Sequence, residues 1–188
     1  VIDSILKYKN INLNNSEQKE QISQEFLKNL VFSSSSLEDY FACGYRYFYK
    51  DILNLKKKDQ EKLDSRTIGN IVHNCCYEIA KKIIKNEEIT EEIKKNIIEN
   101  VLNKKEYEFI KLETNKKVII SNLKIEIEKL FDFILKEQQI SEFKISKAEY
   151  LFKTNIHITN FKGFIDRVDE SENEFIIVDY KTGKTVID

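Results

Sequence analysis

The hydrophobic pattern changes its period once along the chain, and this change constrains the fold more than any other feature. Up to about residue 140, apolar residues recur every three or four positions, as in amphipathic helices. From Ile145 to Ile158 apolar and polar residues alternate, which predicts a half-buried strand. Further strands are predicted over 161–168 and 175–182, with turns at 159–160 and 169–174. The sequence therefore predicts an α+β protein: a helical N-terminal half, then a mixed β-sheet core with an antiparallel meander, flanked by helices.

The helical half divides into several predicted elements. Residues 1–32 form an N-terminal helical segment, with helical spacing over 16–30, and the remainder, 33–188, forms one domain. Ser35 and Glu38 have the spacing of a capping box, which predicts a helix from about Leu37. Later helices are predicted over 65–85, from the N-cap Thr90 to about Leu112, and over 116–138. The inner face of the helix that starts at about Leu37 would consist of Leu37, Tyr40, Phe41, Tyr45 and Phe48.

The composition excludes some classes of protein and favours one compartment. A chain of 188 residues with 41 % hydrophobic residues can fill a core, so wholesale disorder is excluded. No apolar run approaches about 18 residues, so no membrane span is expected. A net charge of −1 gives no global field that attracts a polyanion. Three cysteines do not make a disulfide framework, which favours a reducing, cytoplasmic setting.

The last predicted hairpin carries the residues most suited to chemistry. Asp166 interrupts one apolar strand, and Asp179 and Lys181 share a face of the next. If the loop is Ser171–Glu174, antiparallel counting places Asp166 opposite Asp179. Two carboxylates about 4 Å apart repel by roughly 4 kcal/mol at an effective dielectric constant of about 20, and a divalent cation such as Mg²⁺ would relieve this repulsion. The alternative is a solvated ion pair at the strand ends, and the spacing alone leaves both interpretations open.

Four motifs in order carry a family resemblance. They are Ser34–Tyr49, Ile68-Gly-Asn-Ile-Val-His73, Gly163-Phe-Ile-Asp-Arg-Val-Asp169 and Ile177-Val-Asp-Tyr-Lys-Thr-Gly-Lys184. Together they resemble the PD-(D/E)xK nuclease superfamily, and most of all its RecB-like and AddB-like nuclease domains, over about residues 33–184. All four glycines of the chain lie within these motifs.

The resemblance implies a restriction-endonuclease-like fold and a metal-dependent DNA nuclease. Such a domain uses Mg²⁺ or Mn²⁺ and belongs to a helicase–nuclease that resects DNA ends in double-strand break repair and recombination. Its products end in 5′-phosphate and 3′-hydroxyl. The implied partners are DNA and an AddA-like helicase subunit, with no membrane and no small-molecule substrate. The alternatives are a CRISPR-associated exonuclease with the same core, or a nuclease-like module that binds DNA or a partner without cutting. Because the family continues beyond the lysine motif, we expect the domain to be truncated at its C-terminus.

The resemblance also implies a set of site residues. Asp166 and Asp179 correspond to the metal-binding carboxylates, Lys181 to the catalytic lysine, and His73 to the helical metal ligand. The main-chain carbonyl of Tyr180 is implied as a further ligand. These implied positions are Asp166, Asp179, Lys181, His73 and Tyr180.

The roles of His73 and Glu149 each have a second interpretation. A helical histidine such as His73 is often merely packed, although Gly69, four residues earlier, leaves the adjacent helix surface bare for a close approach. Glu149 lies where many family members carry an acidic residue, but it could equally be an exposed partner of Lys147 or Lys153.

The cysteines and the aromatic run near residue 45 have competing interpretations. Cys43 is either a ligand of a 4Fe–4S cluster, completed by three cysteines in the full-length protein, or a small buried apolar residue. Cys75 and Cys76 are expected to pack in the core. For the aromatic run we favour Tyr45 and Phe48 in the core with Arg46 and Tyr47 in solvent; the alternative is that these rings stack on nucleic acid.

Overall fold

A computed structural model describes residues 30–55, 62–112, 117–157 and 159–182 of the chain, and of 111–112 the backbone only. The helix predicted over 16–30 lies outside the described residues except for Leu30, and so does Ile158. The expected truncation concerns residues from Gly183 onward, which also lie outside the described part.

The predicted α+β class is confirmed. Strand β3 pairs in parallel with β1 and antiparallel with β4, and it also neighbours β2, so the sheet is mixed. Only residues 157 and 158 separate β2 from β3, and so short a connection permits only an antiparallel pair. In chain order the elements are β1 (Val31–Phe32), α1 (Ser34–Ala42), α2 (Gly44–Tyr47), a π-helical turn (Phe48–Ile52), α3 (Ser65–Ile84), α4 (Glu91–Leu102), a 3₁₀ segment (Lys105–Leu112), α5 (Lys117–Ile140), β2 (Lys144–Ile156), β3 (Thr159–Glu170) and β4 (Phe175–Val178).

The described residues divide into two compact units. The first contains the described residues up to 55 together with those of 151–164, and the second contains those of 62–150 and 165–182. Strands β2 and β3 each contribute residues to both units. None of the helices in the described ranges is long and apolar enough to cross a bilayer.

The second unit has the main hydrophobic core, which α3, α4 and α5 share. Asp64 caps α3 by accepting the Thr67 N–H, and Thr90 caps α4 as predicted, by accepting the Ile93 N–H. Both α3 and α5 turn an apolar face to this core, although Ile119 on α5 is exposed. Each large apolar side chain buried there stabilises the unit by about 1.5–3 kcal/mol. The fully buried apolar residues are Ile71, Cys75, Cys76, Ile79, Ala80, Ile98, Val101, Ile127, Phe131 and Ile134.

Several predicted boundaries are wrong for local reasons. Helix α1 begins at Ser34 because Ser33 and Ser36 form the capping box, so Ser35 does not act as the cap. Helix α4 ends at Leu102 and the chain continues as a 3₁₀ segment instead of reaching residue 112 as α-helix. Strand β3 includes Thr159–Asn160, which the sequence had placed in a turn, and β4 ends at Val178 instead of residue 182.

In the first unit the burial of Tyr45 and Tyr47 is the reverse of the prediction, whereas Arg46 is exposed as expected. Tyr47 is only 4 % exposed and stacks on Phe32 with ring centroids 5.9 Å apart, whereas Tyr45 is 74 % exposed. Tyr40 and Phe41 are exposed as well. The helix breaks at Cys43, whose φ of −165° and ψ of 113° are extended, and α2 then begins with a new phase. The predicted inner face assumed one uninterrupted helix.

The alternation predicted for β2 is only partly observed. Tyr150 and Ile156 were expected to face inward, yet 42 % and 54 % of their surfaces are exposed. Between Ala148, which packs against the core, and Tyr150 lies Glu149, whose φ of 47° is left-handed. A residue outside the extended region breaks the period of two, as in β-bulges, so the alternation does not continue past it.

Candidate metal centre

The β3–β4 hairpin has the predicted register. Glu170 pairs with Phe175 and Arg167 with Val178, and the Ser171 N–H closes the turn by donating to the Glu174 carbonyl at 2.9 Å. Because β4 ends at Val178, the expected pairing of Asp166 with Asp179 falls one position beyond the observed ladder. In its place, Asp166 Oδ2 accepts the backbone N–H of Tyr180 at 2.8 Å.

Three potential metal ligands meet in the second unit. His73 comes from α3, Glu149 from β2 and Asp166 from β3, and one ligand atom of each lies within 4.8 Å of the others. His73 Nδ1 is 3.3 Å from Asp166 Oδ2, and His73 Nε2 is 2.7 Å from the Tyr180 carbonyl oxygen. Four donor groups from separate parts of the sequence, counting the imidazole itself, therefore meet at His73.

A glycine permits the close approach at this point. A Cβ at Gly69 would lie 3.2 Å from Thr182 Oγ1, a tight contact that glycine avoids. The expected close approach to this surface of α3 is thus made by the segment that follows β4. Tyr180 anchors the same segment, since its ring packs against the core and burial raises the pKa of its phenol to about 12. The Tyr180 carbonyl is held toward His73 as a result.

Glu149 reaches the cluster through its unusual backbone. An extended residue between Ala148 and Tyr150 would point away from the face that Ala148 uses, and the left-handed φ of Glu149 removes that constraint. Burial first, and then the negative charge of Asp166, raise the pKa of Glu149. The alternative pairing with Lys147 is wrong, because Lys147 pairs with Glu170 at 2.9 Å.

The donor set fits a hard divalent cation. Carboxylate and carbonyl oxygens with one imidazole nitrogen suit Mg²⁺ or Mn²⁺. Neighbouring ligands of an octahedral ion bound at about 2.1 Å lie about 3 Å apart. The separation of His73 Nδ1 from Asp166 Oδ2, 3.3 Å, is close to that value, and the Tyr180 carbonyl lies 2.7 Å from the other ring nitrogen, Nε2. Glu149 and Asp166 bring two carboxylates to this volume, and a cation would relieve their repulsion.

Asp179 and Lys181 lie apart from this group of ligands. Their side chains form an ion pair at 2.7 Å, and both are more than half exposed. Asp179 does not belong to the three-ligand group that the described residues contain. Lys181 lines a groove of about 760 Å³ together with His73, Glu149, Asp166 and Tyr180. The lysine therefore shares the solvent-filled space above the cluster.

Sequence reasoning missed three polar residues beside the cluster. Asn74, Lys104 and Tyr107 are hydrogen-bonded to one another, and Asn74 and Tyr107 also line the groove. The only signal in the sequence is that Asn74 follows His73. Asparagine and lysine are so common in this chain that this adjacency does not identify a functional residue.

Cys43 is exposed, so its interpretation as a small buried apolar residue is wrong. It terminates α1, where its backbone N–H donates to the Asp39 carbonyl. Cys75 and Cys76 pack in the core as predicted, and burial raises the pKa of each thiol to about 12. A cluster ligand at Cys43 stays a prediction for the full-length protein.

Known proteins resemble the chain over most of its length. A model of the PD-(D/E)XK nuclease superfamily matches residues 31–188. A subunit of an ATP-dependent helicase/deoxyribonuclease from Caldanaerobacter subterraneus subsp. tengcongensis is 28 % identical over 89 % of this chain and 17 % of its own length. Proteins with the same name from Oceanobacillus iheyensis and Clostridium perfringens are 27 % and 26 % identical over 91 % and 97 % of the chain. The chain spans less than a fifth of these relatives, between 17 % and 18 % of their length.

Proposed function

We propose that this chain, which belongs to the PD-(D/E)XK nuclease superfamily, is a divalent-metal-dependent DNA nuclease domain that hydrolyses phosphodiester bonds. The observation that carries the proposal is the convergence of His73, Glu149 and Asp166 on one point, next to the Tyr180 carbonyl. An ordinary folded surface gains nothing from placing two carboxylates together without a cation between or beside them.

In this proposal Asp166, His73 and the Tyr180 carbonyl hold Mg²⁺ or Mn²⁺, and Glu149 completes the ligand set. When bound, the cation stabilises negative charge that develops on the phosphate and on the leaving oxygen. Asp179 lies one residue before Tyr180 and is the further carboxylate that substrate would meet at the edge of the groove. Its negative charge holds the Lys181 ammonium beside the site.

Lys181 is the residue that we assign to the attacking water. Its ammonium donates hydrogen bonds and so orients the water oxygen toward phosphorus. The new bond joins that oxygen to phosphorus, and the bond from phosphorus to the 3′ oxygen breaks. The proton lost by the water passes to solvent, the leaving oxygen takes one up, and the ends become 5′-phosphate and 3′-hydroxyl.

We further propose that this activity belongs to a two-subunit helicase–nuclease that processes DNA ends in double-strand break repair and recombination. The support is the name of the relatives, which describes one subunit of an ATP-dependent helicase/deoxyribonuclease. An AddA-like helicase is the partner that such a subunit would need, and the bacterial cytoplasm, where chromosomal DNA lies, is the place of action.

The experiment that tests the proposal is single-turnover cleavage of end-labelled linear DNA by the full-length protein in Mg²⁺ or Mn²⁺. Lys181→Ala should lower the cleavage rate by about 10²–10⁴-fold, because the water loses its orienting partner. Metal affinity should persist, since the ligands stay intact. Lys147→Ala is the matched control: Lys147 is also a surface lysine paired with a carboxylate, at 2.9 Å, and its removal should leave the rate unchanged.

Absence of metal-dependent cleavage by the wild-type protein, even with its partner subunit present, would refute the enzyme and leave a DNA-binding module. Equal rates for wild type and Lys181→Ala would instead remove Lys181 from the mechanism.

A further inference from the structure

We propose that Lys104 is a phosphate anchor, which holds the DNA strand at a phosphate next to the one that is cut. The proposal rests on the nuclease function above and extends it to the path of the substrate. The observation behind it is a lysine side chain held beside the metal centre by a neutral partner.

A chain of hydrogen bonds fixes the Lys104 side chain. Its ammonium donates to Asn74 Oδ1 at 2.7 Å, and Asn74 Nδ2 donates to the Tyr107 hydroxyl and to the Asn70 carbonyl, both at 2.9 Å. Tyr107 is buried, so the far end of the chain of bonds is rigid. The ammonium is therefore pre-positioned, and little conformational entropy remains to be lost when it binds a ligand.

The charge of Lys104 is not neutralised by the partner that fixes it. Lys94, Lys124 and Lys147 each form an ion pair with a carboxylate, whereas Lys104 donates to the uncharged amide of Asn74. A lysine ammonium has three N–H donors, and the bond to Asn74 uses one. The others remain for an anion, and a phosphate oxygen is the acceptor that a DNA substrate offers.

The position of Lys104 connects it to the metal centre. Asn74 directly follows His73 on α3, and it lines both the groove above the metal centre and a second cavity of about 770 Å³. Lys104 and Lys105 line that second cavity, and Glu106 lines both. A DNA strand with one phosphate at His73 and Asp166 would continue past Asn74 to Lys104. The Glu106 carboxylate repels phosphate and so confines the strand to the lysine side.

The test measures DNA binding in EDTA, where no cleavage occurs, over a series of salt concentrations. Lys104→Gln keeps an N–H donor near Asn74 and removes the charge. We expect it to weaken binding of labelled linear DNA roughly three- to tenfold. The slope of the logarithm of the binding constant against the logarithm of the salt concentration should become shallower by about 1. Lys104→Arg should restore the slope. Lys129→Gln removes an equal charge from α5, where Lys129 pairs with Glu126, and should keep the wild-type slope.

A second measurement separates anchoring from catalysis. Under single-turnover conditions at saturating DNA, Lys104→Gln should cut at the wild-type rate within about twofold, because the anchor acts on binding. Wild-type affinity and slope in Lys104→Gln would overturn the anchor, and so would an equal loss in Lys129→Gln, which would indicate a diffuse field. The binding data do not depend on turnover, so a protein that fails to cut DNA refutes the proposed function without deciding this comparison.

Discussion

Two charged clusters begin on successive residues of β3, and they are built on opposite principles. Asp166 joins His73 and Glu149 at the groove, where acidic groups are in excess. Arg167, only 2 % exposed, donates to Asp169 Oδ1 at 2.7 Å and to Glu137 Oε2 at 2.6 Å. Its guanidinium makes a second bond to Asp169, which gives a two-point contact.

The difference separates a structural cluster from a functional one. Burial opposes the charge on Arg167, but the hydrogen bonds to Asp169 and Glu137 outweigh it and raise the pKa of Arg167 above its ordinary value. That cluster is complete without a ligand. At Asp166 two carboxylates meet one imidazole, and burial first, then the charge of Asp166, raise the pKa of Glu149. Added positive charge would complete that cluster. A charged group that lacks its counter-charge inside the protein is where a cation or substrate is expected.

The largest effect should come from breaking the complete cluster. Arg167→Ala leaves the Asp169 carboxylate buried without its partner, and loss of one member of a buried ion pair costs about 3–5 kcal/mol. Urea unfolding should show that loss in the free energy of unfolding. Lys147→Ala breaks the exposed pair with Glu170, between β2 and β3, and should cost far less. Equal losses in the two variants would contradict the contrast.

Breaking the acidic cluster should instead lower the rate of cleavage and leave the free energy of unfolding nearly unchanged. Asp166→Asn should reduce cleavage by at least about 10³-fold, because a bound cation supplies several kcal/mol of charge stabilisation. The asparagine oxygen can still accept the Tyr180 N–H. Without metal, the free energy of unfolding should therefore be unchanged or higher by up to about 1 kcal/mol, since one repulsive charge is gone. A loss of several kcal/mol would mean that Asp166 is structural.

The sequence predicts correctly those elements of the fold that depend on local spacing and turn length. The helix over 65–84, the N-cap at Thr90 and the hairpin register from Glu170 opposite Phe175 all follow from local spacing and turn length. The break at Cys43 could not be predicted, because an extended residue between two helices leaves no mark on the hydrophobic pattern. The wrong prediction for Tyr45 and Tyr47 follows from that break.

The site was predictable in its motifs and less so in its geometry. The proximity of His73 and Asp166 is what the family resemblance implied. The approach of Glu149 depends on a left-handed φ in a strand, which only the tertiary structure specifies. The contact from Asn74 to Lys104 joins residues 30 positions apart in a chain rich in lysine, so no spacing rule could single it out.

A third charged cluster lies in the first unit, and, like the cluster at Arg167, it has its counter-charges within the protein. Asp39 is buried and pairs with Arg46 at 2.8 Å and with Lys50. The Lys50 hydrogen bond first, and then the nearby positive charges, lower the pKa of Asp39 below 3.8, against the effect of burial. A carboxyl whose pKa is lower in the folded state stabilises the protein above the unfolded value, and this contribution is lost as the pH falls through the folded value.

We therefore expect Asp39→Asn to remove part of the acid sensitivity of the protein. Urea unfolding at pH 7 and near pH 3 should show a smaller difference between the two conditions in Asp39→Asn than in wild type. An unchanged difference would mean that Asp39 keeps an ordinary pKa and that its two cations contribute nothing measurable.

Direct Mn²⁺ binding to the metal-free protein tests the central claim, that the acidic cluster of His73, Glu149 and Asp166 is a divalent cation site. In isothermal titration, wild type should take up Mn²⁺ saturably, Asp166→Asn should lose that binding, and Glu126→Gln, an exposed carboxylate paired with Lys129 on α5, should keep it. Indistinguishable Mn²⁺ binding by wild type and Asp166→Asn would contradict the claim.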